Sequence, residues 1–194
     1  MTVIIGITDG RTIWMGADSF VGNSNYALQM KQSKIIRRQL PNGSDILFGC
    51  SGEMRVMLLL GAMELPDHKP GMDALYYVGI DLVNTMRSVF GDAGYATAQD
   101  GREGAGDACV LVGYDGRLFA LWSDYTHAEP ATDYMVMGSG MEVALGALAV
   151  TDGIPPRRRL EMVLEAVAQH SPYVRAPFTF EEIRLSGSAK EYEQ

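Results

Sequence analysis

The 194-residue chain predicts an α+β fold of two antiparallel sheets packed face to face, with a pair of helices outside each. Three observations predict it. Strand and helix patterns come in blocks (strands, two helices, strands, two helices, strand), whereas a doubly wound parallel sheet would alternate them singly. The dipeptides Asp9-Gly10 and Asp115-Gly116 stand between apolar runs as hairpin signals. No linker-like stretch or internal repeat divides the chain, so residues 1–194 read as one domain, long enough to bury a two-layer core.

The elements follow in order. Val3 to Thr8 is an apolar, β-branched run, and Thr12 to Ala17 returns from the Asp9-Gly10 turn. Phe20 to Leu28 is polar and Asn/Gly-rich, an irregular loop. Lys34-Ile35-Ile36 opens a strand that reaches the turn Pro41-Asn42-Gly43-Ser44, and Ile46 to Cys50 comes back. Ser51-Gly52-Glu53 breaks the pattern before a helix over Met54 to Leu65, where Met54, Met57, Leu58, Ala62 and Leu65 share a face. After a loop from Pro66 to Gly71, Met72 to Phe90 is the longest helix, weakened at Gly79. Gly91 to Gly106 reads as a flexible surface loop, and without a Gly-Lys-Ser/Thr ending it is no phosphate loop. Ala108 to Tyr114 and Arg117 to Trp122 form a second hairpin. Tyr134 to Met137 is a short strand ended by Gly138-Ser139-Gly140. Helices over Met141 to Val150 and Arg157 to His170 follow, split by Gly153 and Pro155-Pro156. Arg157-Arg158-Arg159 reads as a solvated first turn. Phe178 to Leu185 is the last strand, and residues 186–194 are a frayed polar tail.

Composition narrows the function. A formal charge of −8 disfavours nucleic acid as a partner and gives no polybasic membrane signal. No apolar stretch approaches the roughly 20 residues that span a bilayer, and no signal-peptide pattern opens the chain. Cys50 and Cys109 lie in strand-like runs and read as packed thiols. His68, His127 and His170 have no ligand spacing. The expectation is a cytoplasmic domain with no metal and no cofactor.

The chemistry gathers at the chain start. Thr2 stands behind Met1, with Asp18 sixteen residues on and Lys34 sixteen further. A threonine hydroxyl needs a base beside it, and an N-terminal threonine carries its own in the α-amine. If the first two strands form a hairpin, Thr2 comes near the level of Asp18 at its open end, and Lys34 returns to the same end. An α-amine titrates near 7.7–8.0 and lysine near 10.4, so at neutral pH the amine is roughly 300-fold more often the free base. A Lys34 ammonium nearby depresses the amine further. The assignment is Thr2 as nucleophile and base, Lys34 as electrostatic tuner and Asp18 as its orienter. Gly52 at one strand-to-helix break supplies an N–H for an oxyanion, and Ser139 at the other supplies a hydroxyl to relay a proton or orient the amine. Taken singly, Thr at position 2, an Asp–Lys pair and glycine turns are ordinary structure; the joint pattern points to catalysis.

These residues resemble a known family. Thr2-Val3-Ile4-Ile5-Gly6-Ile7, Met15-Gly16-Ala17-Asp18-Ser19, the lysine ahead of Ile35-Ile36, Phe48-Gly49-Cys50-Ser51-Gly52 and Met137-Gly138-Ser139-Gly140 are similar to proteasome β-type and HslV-type subunits, N-terminal nucleophile hydrolases. Val174-Arg175-Ala176-Pro177-Phe178 leans toward the bacterial and phage proteasome-type proteases. The resemblance implies a four-layer αββα sandwich and threonine peptidase chemistry on unfolded polypeptides. It also implies a homo-oligomeric ring and admits an ATPase unfoldase as partner. Thr2 then takes the nucleophile position, Asp18 and Lys34 the charged pair, Gly52 the oxyanion donor and Ser139 the accessory hydroxyl. Val21, Gln32, Cys50 and Met54 would line a pocket for an uncharged, medium-sized side chain before the cleaved bond. The turn between Lys34 and Gly52 is longer than usual in the family, and Ser171 stands where proteasome subunits carry an accessory aspartate. Exposure of Thr2 would rest on removal of Met1; with Met1 retained, the Thr2 nitrogen is an amide and no base. The competing readings are a non-catalytic ring or scaffold subunit that keeps Met1, and an amidase of the same superfamily acting on small amides.

Overall fold

The computed structural model describes residues 2–22, 25–99 and 102–185; the expected frayed tail, 186–194, lies outside them. The chain runs β1 (Ile4–Thr8), β2 (Thr12–Ala17), β3 (Phe20–Gly22), β4 (Ala27–Gln29), β5 (Ile35–Gln39), β6 (Asp45–Ser51) and α1 (Met54–Ala62). Next comes α2, a continuous helical segment made of Ala74–Tyr76, a π-helical stretch Tyr77–Leu82 and Val83–Asp92. Then follow β7 (Thr97–Gln99), β8 (Arg102–Gly104), β9 (Cys109–Tyr114), β10 (Arg117–Leu121), β11 (His127–Ala128), β12 (Tyr134–Met137), α3 (Met141–Ala149), α4 (Pro156–His170) and β13 (Thr179–Arg184).

Two antiparallel sheets carry the structure, ordered β12-β1-β2-β13 and β11-β10-β9-β6-β5. The two-residue period of the strands sorts their side chains into three apolar layers. Val3, Ile5 and Ile7 face α3 and α4, against Ala144, Leu148, Leu160 and Leu164. Ile4 points the other way and, with Ile13 and Met15, meets Leu47, Leu111 and Leu118 between the sheets. Ile46, Phe48 and Cys50 turn outward to Val56, Leu60, Val78 and Phe90 of α1 and α2. The result is the expected αββα order. The sheets close tightly at Gly49, where a Cβ would stand 2.4 Å from Ile4 Cγ2. Among the described residues no helix is long and apolar enough to cross a membrane.

Several elements depart from expectation. The first hairpin pairs Ile4 with Ala17 and Thr8 with Ile13, so its central residues are Gly10-Arg11, one step past Asp9-Gly10. Asp9 Oδ1 accepts from the N–H groups of Arg11 and Thr12, and Gly10 takes φ +85°. Asp9 is thus the anchor of the turn, not its first corner. Asp115-Gly116 do form the corner of the second hairpin, both at positive φ, with Tyr114 paired to Arg117. The expected loop at 20–28 contains the ribbon β3–β4, seeded by buried Phe20 and prolonged by Met30 N–H donating to Ser19 O. The expected loop at 91–106 contains the ribbon β7–β8; each pairs only with its own partner, so no core alternation marks it in the sequence.

Helix α1 stops at Ala62, where the Arg38 guanidinium satisfies the carbonyls of Leu60, Gly61 and Met63. Helix α2 starts at Ala74 because Asp73 caps it through Leu75 N–H. Within its π stretch Gly79 makes room for the ring of His127, whose Nε2 would lie 2.2 Å from an added Cβ. The arginine triplet is no uniformly solvated turn. Arg159 is 4% exposed and donates to Asp133, Thr151 and Leu148 O, and Arg157 lies over the Phe180 ring.

Candidate active site

One hairpin and one lysine build the centre. Asp18 directly follows β2, opposite Val3: Asp18 N–H donates to Val3 O at 3.4 Å, and Val3 N–H donates to Asp18 Oδ1 at 3.0 Å. Thr2 therefore sits one residue beyond, at the open end of the sheet. Lys34 precedes β5 in the other sheet, its carbonyl held by Cys50 N–H at 3.0 Å, and its side chain crosses between the layers. The ammonium donates to Thr2 Oγ1 at 2.9 Å, Asp18 Oδ1 at 3.0 Å and Phe20 O at 2.6 Å, an acceptor for each proton. Asp18 Oδ2 accepts from Phe20 N–H at 2.9 Å. The side chains of Lys34 and Asp18 are 4% and 0% exposed. Burial pulls the Lys34 pKa below its ordinary value, and the Asp18 carboxylate opposes that shift. A cation donating to the threonine oxygen favours its anionic form.

The other side of Thr2 is looser. Thr2 N–H donates to Ser139 Oγ at 3.2 Å, Ser139 Oγ–H donates to Thr2 O at 3.4 Å, and Gly140 N–H donates to the same carbonyl at 3.3 Å. Gly138 has φ +100°, and a Cβ there would meet Thr2 O at 2.3 Å. Gly52 has φ +90°, and a Cβ there would meet Asp107 O at 2.3 Å. Both strand-to-helix junctions need glycine for conformation and for space.

Two cavities flank Thr2. The first, about 130 Å³, is lined by Thr2, Val21, Lys34, Cys50, Gly52 and Met54. Of the pocket residues expected, Gln32 is absent from this wall; it is exposed on the bend before Lys34. Gly22, Glu53 and Met57 complete the wall. Met57 was readable as the helical neighbour of Met54 on α1, whereas Glu53 and Gly22 carried no signal. Burial pushes the Cys50 thiol up to about 12, so it is neutral, and both cysteines are free. The second cavity, about 350 Å³, is bordered by Thr2, Gly52, Ser139, Asp107, Trp122 and Met141 among others. Nothing in the sequence pattern gathered those last three. Ser171 lines neither cavity; it caps the end of α4, where its hydroxyl accepts from Tyr173 N–H.

The fold defined by these layers is that of proteasome-like N-terminal nucleophile hydrolase subunits. Among solved structures, the chain is similar to Thiobacillus denitrificans BPH at 20% identity, TM-score 0.75, covering 96% of this chain and 99% of that one. Eukaryotic HslV from Trypanosoma brucei matches at 14% identity and TM-score 0.66, over 94% and 99%. The ancestral β-subunit Anbu from Yersinia bercovieri matches at 12% identity and TM-score 0.67, over 94% and 81%. The Thiobacillus protein is also solved in complex with epoxomicin, and Anbu from Pseudomonas aeruginosa as a helical assembly. No model of a known protein family and no curated protein matches the sequence.

Proposed function

We propose that this chain is an N-terminal threonine endopeptidase of proteasome/HslV type, acting on unfolded polypeptides in a homo-oligomer once Met1 is removed. The observation that carries the reading is the buried Lys34 ammonium 2.9 Å from the hydroxyl of the second residue, locked there by Asp18. With Met1 gone, the Thr2 amine takes the hydroxyl proton and Oγ1 attacks the peptide carbonyl carbon. The oxyanion accepts from the Gly52 N–H. The protonated amine, oriented by Ser139, returns the proton to the leaving nitrogen as the C–N bond breaks. Water then hydrolyses the Thr2 ester with the same amine as base. Lys34 keeps that amine neutral and stabilises negative charge on Oγ1; Asp18 positions Lys34. Val21, Cys50 and Met54 receive the side chain ahead of the cleaved bond.

Intact mass of the native protein and casein digestion test this together. The expected results are loss of Met1, cleavage by the wild type, none by Thr2→Ala, and inhibition by epoxomicin, the ligand of the Thiobacillus relative. Retained Met1, or equal cleavage by Thr2→Ala, overturns the reading. Turnover of small amides with intact casein would favour the amidase.

A further inference from the structure

We propose that the second cavity is the leaving-group subsite, and that Trp122, Met141 and Asp107 make it favour a large apolar residue directly after the cleaved bond and reject an acidic one. The inference rests on the peptidase reading and names what that site selects. Thr2 and Gly52 border both cavities, Lys34 only the first and Ser139 only the second. With Oγ1 on the carbonyl carbon and the oxyanion at Gly52, the two chains leaving that carbon diverge into the two cavities. The leaving nitrogen must collect the proton held by the Thr2 amine, and the amine faces Ser139. The amine product therefore departs over Ser139, into the larger space.

The lining there gives the side-chain class. Trp122 and Met141 are 38% and 39% exposed, large apolar groups presented to solvent beside the nucleophile, with Met137 buried near them. Asp107 is the one charged residue on this wall. Its main-chain carbonyl backs Gly52, so its side chain can change while that contact stays. An apolar side chain covers Trp122 and Met141, whereas a glutamate meets a like charge.

The test has two arms. Internally quenched peptides identical ahead of the bond carry Leu, Phe, Gly or Glu after it, and kcat/KM is measured for the wild type, Trp122→Ser, Met141→Thr and Asp107→Asn. Leu and Phe should exceed Gly by about 10- to 100-fold, as apolar pockets discriminate. Either pocket variant should compress that ratio several-fold, and Asp107→Asn should raise the Glu substrate selectively. In the second arm, Thr2→Ala is titrated with Leu-Ala-Ala amide or Glu-Ala-Ala amide while the Trp122 indole N–H is followed by NMR. The Leu peptide should move that signal at lower concentration. If no peptide is cleaved, the peptidase reading fails, and the titration still decides the subsite. Equal rates for all four peptides, an order unchanged in both pocket variants, or an unmoved Trp122 signal overturns the proposal.

Discussion

The two sides of Thr2 are built to different tolerances. Toward Lys34 every donor is matched, the bonds are 2.6–3.0 Å, and the charged pair is shut off from water. Toward Ser139 the contacts lengthen to 3.2–3.4 Å and border the larger cavity. A fixed charge does its work by staying still in a dry place, where its field is least screened. A proton carrier has to exchange partners during the reaction, so saturated geometry would hinder it. On the peptidase reading proposed above, the asymmetry fits electrostatics on one side and proton traffic on the other.

The largest effect should come from the tight side. Lys34→Met leaves Asp18 buried and uncompensated, and thermal or urea unfolding should show a loss of about 3–5 kcal/mol, with peptidase activity abolished. Adding Asp18→Asn removes the buried charge but sets an amide NH2 against the N–H of Val3 or Phe20, so it should restore only part of the stability and none of the activity. If the double variant regains activity, the cation is structural and the comparison breaks.

Next is the divide between the sides. Gly52→Ala forces a Cβ against Asp107 O and demands φ +90° of an alanine. The N–H at that position should swing away from the oxyanion, lowering kcat by about 10²–10³ with a smaller change in KM. A loss confined to KM would remove Gly52 from the oxyanion role.

On the loose side, Ser139→Ala should leave the unfolding midpoint nearly unchanged and lower kcat by about 100-fold, the low end for positioned proton-transfer groups. The pH profile sharpens this. Activity should rise as the Thr2 amine loses its proton, below the usual 7.7–8.0 because of the Lys34 charge. It should fall as Lys34 loses its own, below the ordinary lysine value because of burial. The sign is thus a bell whose acid limb belongs to the amine. Ser139→Ala should displace the acid limb and leave the alkaline limb in place.

How far this was legible in the sequence follows from the range of each inference. The hairpin β1–β2 is local, and counting from its turn put Thr2 within one residue of Asp18 even with the turn misplaced by one step. The apolar run Val3 to Thr8 was readable as a strand but not by face, because apolar side chains on both sides leave no alternation; the structure sends Val3, Ile5 and Ile7 to the helices and Ile4 between the sheets. Lys34 was placed from the order of strands, and the stacking of two sheets then brought its ammonium to Thr2. What failed was set by loops or by meetings between distant segments. Gln32 is exposed on the bend before β5 and lines neither cavity, whereas Met57 of α1 lines the first. Trp122, Asp107 and Met141 lie on three different segments that meet only after both sheets have closed.

The smallest effect belongs to a buried lining residue of the first cavity. Cys50 is 6% exposed and its thiol, held up to about 12 by burial, remains neutral wherever the Thr2 amine is active. It therefore acts by shape alone. Cys50→Ala opens space for roughly one more heavy atom, and the preference before the cleaved bond should move toward longer apolar side chains by no more than about 10-fold, the low end of what one methylene decides. Cys50 holds Lys34 through its main-chain N–H, which alanine keeps, so kcat for the best substrate should hold. Iodoacetamide at pH 8 should spare Cys50 in the folded protein and label it after denaturation, read by peptide mass. Rapid labelling of the native chain, or loss of kcat in Cys50→Ala, would give the thiol a chemical part and blur the division between a rigid charged wall and a mobile proton path.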